Sequence, residues 1–364
     1  MTSRERLIKT LNHQEADRVP IDFGGTGLTS AMPVVLEKLQ NYLGLDHLVD
    51  PDFPYFDIRI QKKFNCDIQQ IGLRQPKDFQ KKYTPSGNSI NEWGFSWAET
   101  SFAPLKGATP DDIKKYPWPD PNAEGRTKGL KEHVLRLYET TDFAIAANEV
   151  FLGPFEAGCL ICGYDDWLVK LAIDEEFTNA FLEKWLEVAN GFSQNCFEIV
   201  GEYIQMLQLG DDIATQKGLF LSPDMYKEKI FPYFKKALDY IKQLTKAKIV
   251  LHSCGSSYRL LPQLIEAGVD GINPLQTTAV DMDPVKLKAE FGNSLIFHGG
   301  VDLQHILPYG TVEEVREFVK NLIKVMSPGG GFILAACHSL PEDVPPQNIV
   351  AMLEAAAEFG SYSK

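Results

Sequence analysis

From about residue 141 onward, short apolar runs alternate with longer segments that are apolar on one face only. The runs DFAIAAN, YIQMLQLG, AKIVLHS, DGINPL, NSLIFHGG and GGFILAA read as strands. They are apolar at successive positions rather than at alternate ones, as in strands covered on both faces. Between them, residues 175–203 carry a long helical pattern, and Ser222 with Pro223 marks the start of another helix. Ser256 or Ser257 is placed to cap YRLLPQLIEAG, which Pro262 interrupts, and Asp283-Pro284 opens the next helix. Thr311 and Glu314 form a capping box, and a last helix spans about 346–359. Upstream, residues 3–13 look helical, and the extended segment DRVPIDF leads through Gly24 into the loop GGTGL. Strands alternating with helices predict a parallel sheet with right-handed crossovers.

Residues 50–125 break this rhythm with polar, aromatic and proline-rich stretches such as PDFPYFDIRI, NEWGFSWAET and YPWPDPNAEG. They are expected as an irregular elaboration near one mouth of a single α/β domain covering 1–364. A dinucleotide-binding sheet would need G-x-G-x-x-G after its first strand, which GGTGLTS does not supply, and no G-x-x-x-x-G-K-[ST] loop is present. A (β/α)8 TIM barrel fits better. Chemically useful residues recur at the ends of successive strands: Asp211 and Asp212, His252 and Cys254, Gln276, His298, then Cys337 and His338. That edge is where a barrel keeps its active site.

With 44% hydrophobic and 23% charged residues among 364, the chain can fill a large core. Its 49 acidic against 36 basic residues argue against a nucleic-acid partner. The N-terminus reads as an amphipathic helix rather than a signal peptide, and no run approaches the about 18 apolar residues that span a membrane. The expected location is the cytoplasm, where six cysteines stay reduced or bind metal.

His252 and Cys254 lie two apart in an extended segment, so both side chains leave one face of the strand. Imidazole with thiolate suits zinc better than magnesium or calcium. A third ligand is expected from Cys337 at a later strand end, with its neighbour His338 as the alternative. Cys159 and Cys162 have C-x-x-C spacing, but with no second such pair they read as buried thiols. Glu156 and the Asp211-Asp212 pair are candidate acids or substrate anchors, and the bland reading of the pair is a helix cap. Gln276 is a candidate for orienting substrate, and Asp302 in GGVD lies near the same rim.

The segments RLIKTLNHQEADRVPIDFGG, GDDIATQKGLFLSPDMYKEKIFPYFKK, LHSCGSSYRLLPQLIEAGVDGINPLQ, FHGGVDLQHILPYGTVEEVREFV and GGGFILAACHSLPEDVPPQNI carry a resemblance to the uroporphyrinogen decarboxylase superfamily over nearly the full length. Within it, the chain is similar to the cobalamin-dependent methyltransferase branch, which includes methylcobamide:coenzyme M methyltransferases and O-demethylase methyltransferases. That resemblance implies a (β/α)8 barrel, a zinc ion held by an H-x-C pair and a later cysteine, and a corrinoid carried by a partner protein. The pair matches His252 and Cys254, and the later cysteine matches Cys337 most nearly. The order ACHSL departs from the glycine-cysteine arrangement of the coenzyme M enzymes and points to a demethylase-like member. The implied reaction moves a methyl group between cobalt and a methylated substrate (a methoxylated aromatic or methylamine-like compound) or a thiol. Trp93, Phe95, Trp97 and Phe102 then either enclose the substrate or pack as alternating strand positions. The alternative is a uroporphyrinogen decarboxylase-like carboxy-lyase. For that chemistry Asp22 offers a carboxylate, but Arg18 is the one arginine just ahead of the loop.

Overall fold

The computed structural model describes residues 1–47, 50, 53–148 and 150–362. Of the proline-rich stretch, residues 51 and 52 lie outside that set. The elements used below are helix α1 (Ser3–Leu11), strands β1 (Ile68–Ile71) and β2 (Ala144–Ala147), and helices α2 (Pro154–Cys162) and α3 (Glu175–Val200). They continue with β3 (Met206–Gly210), helix α4 (Phe231–Leu244), β4 (Lys248–His252), β5 (Gly271–Asn273) and β6 (Ile296–Val301). Helix α5 (Val312–Met326), β7 (Phe332–Ala336) and helix α6 (Pro346–Phe359) complete the set.

The seven strands form one parallel sheet in the order β1-β2-β3-β4-β5-β6-β7, so every neighbour in the sheet is also the neighbour in sequence. Sequential parallel pairing with helical crossovers curls the sheet into an open half-barrel with helices outside. Alternate residues face in and out. Ile68, Ala144, Ala146, Met206, Val250, Ile296 and Ile333 face inward and form a separate apolar cluster with Leu7 and Leu11 of α1, which plugs the end where the strands begin. Ile145, Leu207, Leu209, Ile249, Leu251, Phe297 and Leu334 face outward into the helix layer.

Eight barrel strands were expected, and the parallel sheet has seven among the described residues. Pro20–Asp22 stands where the eighth would be and touches both edges: Asp22 N–H donates to Leu334 O at 2.9 Å, and Asp67 N–H donates to Ile21 O at 2.8 Å. Pro20 has no N–H to donate, so the segment makes bridges rather than a ladder. Side chains tie it down instead. Asp67, fully buried, accepts from Arg6 Nη1 at 2.6 Å, Arg18 Nη1 at 2.8 Å and the Ile21 N–H at 2.8 Å.

Arg6 also grips Asp17 with two bonds of 2.7 Å. That contact holds the Asp17 carboxyl down to about 2 against burial, which acts the other way. A depressed carboxyl contributes stability above its unfolded pKa and loses it as pH falls through the folded one. The stability difference between wild type and Asp17→Asn is therefore expected to be full at neutral pH and to vanish between about pH 4 and pH 2, read by urea unfolding across that range.

The proline-rich stretch contributes β1 itself. Further along, Trp93 is buried and stacks on Phe192 of α3 with ring centroids 6.1 Å apart. Phe95 is buried edge-on to the exposed Trp97 at 4.9 Å. Residues 93–97 form no strand, and of the alternating rings Trp93 packs on α3 while Phe95 packs against Trp97. Among the described residues, no helix is long and apolar enough to cross a membrane.

A candidate metal centre at the strand tips

Two residues beyond the apolar layer, the inner face turns polar. His252 ends β4 and pairs in register with Asn273, which ends β5. Its Nδ1 donates to Asn273 Oδ1 at 2.6 Å, which leaves the Nε2 lone pair free to bind a ligand. Nε2 lies 3.5 Å from Cys254 Sγ and 4.0 Å from Asp212 Oδ1.

Cys254 is held by its backbone. Its N–H donates to Asp212 Oδ1 at 2.7 Å, and the Gly255 N–H donates to Gln276 Oε1 at 2.6 Å. Gly255 has φ +89°, and a Cβ there would sit 2.4 Å from Thr215 O. Only glycine makes this turn, which brings the thiol back over the strand end. His338 reaches the same point from beyond β7, its ring centroid 5.3 Å from that of His252. The ligand atoms of His252, Cys254 and His338 all lie within 4.8 Å of one another.

Burial lowers the proton affinity of both imidazoles, against the pull of Asp212, so both favour the neutral form that binds metal. Burial, then Asp212, Cys337 and Glu156, push the Cys254 thiol up. The thiolate therefore needs a cation beside it, which inverts the local electrostatics.

The structure brings His338, rather than Cys337, to the pair. Cys337 follows directly on β7, its N–H donating to Val301 O at 3.1 Å, and its Sγ turns to Leu275 O at 3.4 Å. Burial raises that thiol to about 12. The chain bends after β7, and the bend swings His338 across the mouth.

The other expected residues stand around this cluster in supporting places. Glu156, in the first turn of α2, donates its N–H to Asp211 Oδ1 at 2.7 Å and accepts the Asp212 N–H on Oε2 at 3.2 Å. Gln276 is used by Gly255, as above. His298 is buried below the cluster with Nε2 2.9 Å from Asp22 Oδ2. Asp302 accepts the Gln304 N–H at 2.7 Å and shapes its own turn. Cys159 and Cys162 are free thiols buried on α2. Asn273 is not a candidate in the sequence because it lies inside the run DGINPL, whereas the strand itself stops at it. Asn273→Leu is expected to weaken zinc binding about 10- to 100-fold in a chelator competition, with the thermal unfolding midpoint little changed.

A parallel, helix-flanked sheet with a His-Cys-His cluster at its C-terminal edge defines an α/β protein with a candidate metal site at its strand tips. The chain belongs to the uroporphyrinogen decarboxylase (URO-D) family, whose pattern its residues 100–359 match. Within that family it resembles the methylcobamide:coenzyme M methyltransferases. It is 25% identical over 373 residues to "Methylcobamide:CoM methyltransferase MtbA" of Methanosarcina acetivorans, covering 98% of each chain. It is also 25% identical over 266 residues to "Methylated-thiol--coenzyme M methyltransferase" of Methanosarcina mazei, covering 72% of this chain and 67% of that one. The uroporphyrinogen decarboxylase of Schizosaccharomyces pombe is 29% identical over 165 residues, 43% of each. A solved structure described as a methyltransferase from Methanosarcina mazei shares the fold, with a TM-score of 0.64 at 16% identity over 99% of both chains.

Proposed function

We propose that the protein is a zinc-dependent methyltransferase that moves a methyl group between a small methylated substrate, or a thiol, and the cobalt of a corrinoid carried by a partner protein. The observation that carries this reading is the convergence of His252, Cys254 and His338 within 4.8 Å. Two neutral imidazoles and one thiol form the borderline-soft set that zinc favours, and three protein ligands leave a position for a reacting group. Bound zinc supplies Lewis acidity, which lowers the proton affinity of a thiol or draws electron density from a leaving atom. The chain's own residues prepare the place. Asn273 fixes the His252 tautomer, Asp212 holds the Cys254 backbone, and Glu156 holds the Asp212 backbone. In the same reading, residues 1–364 act as one barrel with Pro20–Asp22 as its eighth stave.

A carboxy-lyase acting on a carboxylate-rich tetrapyrrole would need cations at the mouth. Arg18 is spent elsewhere, donating to Asp67, to Asn65 O at 2.7 Å and to Val19 O at 2.9 Å near the start of β1. The test is zinc content by mass spectrometry, then methyl transfer with a corrinoid protein and a panel of donors. About one zinc per chain, required for transfer, is expected; transfer at full rate by metal-free protein would reject the reading.

A further inference from the structure

The proposed reaction leaves the donor open between a neutral methoxylated ring and a methylated ammonium. The surroundings of the metal cluster separate the two. Asp212 reaches to 4.0 Å from His252 Nε2 and remains partly exposed, and Glu156 is bonded to its backbone. Rings stand beside these acids: the half-buried Tyr164 and Phe220 have centroids 5.6 Å apart, and the buried Phe155 lies 5.6 Å from Phe220. The hairpin that leads from Asp212 to Phe220 is clamped to the metal loop, Ser256 N–H donating to Thr215 O at 2.8 Å. After burial itself, Glu156, Asp212 and Asp211 are among the groups that keep the proton on the Tyr164 hydroxyl, so ring and acids share one neighbourhood. Carboxylates next to aromatic faces suit a cation and repel an anion.

A second, independent mark lies just below. Gln208 of β3 is fully buried, and neither its Nε2 nor its Oε1 has a hydrogen-bond partner among the described residues. It sits on the inner face two residues before Gly210, which pairs with His252, so its amide lies beneath the metal cluster. His298 Nδ1, also buried and inward, is likewise unpartnered. Buried amides are rarely left this way, and such a group marks the seat of a polar guest.

We propose that the donor is a methylated ammonium compound with a hydroxyl or carbonyl on its tail. Asp212, Tyr164 and Phe220 hold the cation, and Gln208 takes the polar tail. This rests on the methyltransferase reading above. For a quaternary donor the chemistry balances without an acid: the C–N bond breaks with its electron pair staying on nitrogen, which leaves as a neutral amine. The two electrons of the partner's Co(I) form the new carbon–cobalt bond.

The test compares choline with its neutral isostere 3,3-dimethylbutan-1-ol and with tetramethylammonium, by titration calorimetry on the full chain with zinc measured in the same sample. Choline is expected to bind at least about tenfold tighter than the isostere. Asp212→Asn should erase that ratio, and Gln208→Leu should bring choline down to the affinity of tetramethylammonium without changing the latter. An isostere that binds as well as choline, or a methoxybenzoate that binds better, overturns the proposal. A choline preference in protein that takes up no zinc would uphold the ammonium site and reject the zinc requirement of the methyltransferase reading.

Discussion

Cys254→Ala is expected to lower zinc affinity at least about 100-fold while leaving the far-ultraviolet circular dichroism spectrum unchanged. The side chain is only partly buried at a strand tip, so its removal opens no large cavity, but it takes away the one thiolate of the set. His338→Ala should do the same. Cys337→Ala should keep its zinc, because that sulfur faces Leu275 O and not the cluster. Titration of the three variants with zinc against a competing chelator decides the matter. Zinc lost from Cys337→Ala and kept by His338→Ala would reverse the ligand set read from the geometry.

The second large effect concerns stability. Asp67→Ala is expected to cost about 3–5 kcal/mol in urea unfolding, since it strands the buried Arg6 and the mostly buried Arg18 without their shared carboxylate. It also removes the acceptor of the Ile21 N–H, one of the bonds that seat Pro20–Asp22 between the sheet edges. A loss below about 1 kcal/mol would mean that the network behaves like a surface ion pair. Because Asp22 reaches His298 from this same segment, the variant should also loosen the floor beneath the metal cluster.

The regular half of the chain could be read from its pattern because its strands are apolar on both faces and its helices carry caps. Thr311 and Glu314 form the expected capping box, Asp283 and Ser222 cap as read, and α6 keeps its expected span. Ser257 precedes the next helical turn but makes no side-chain cap. Strand β1 was hidden because its sequence is IQQI. Gln69 and Gln70 are buried only because Gln61, the Gly24 carbonyl and Asn148 satisfy their amides, and no periodicity reports such partners. The H-x-C pair was legible because alternation in a strand fixes a shared face. The third ligand was not, since alternation stops at the bend after Ala336 and neighbouring residues then diverge by local backbone geometry.

Five of the six cysteines are sealed in the interior, and Cys254 alone is within reach of solvent. The folded chain therefore offers a thiol-alkylating reagent one site, at the centre itself, which reacts slowly until the pH is raised because burial and Asp212 hold its proton on, and which a bound ion should shield. The protein thus carries a built-in reporter of occupancy, readable by intact mass without any knowledge of its substrate.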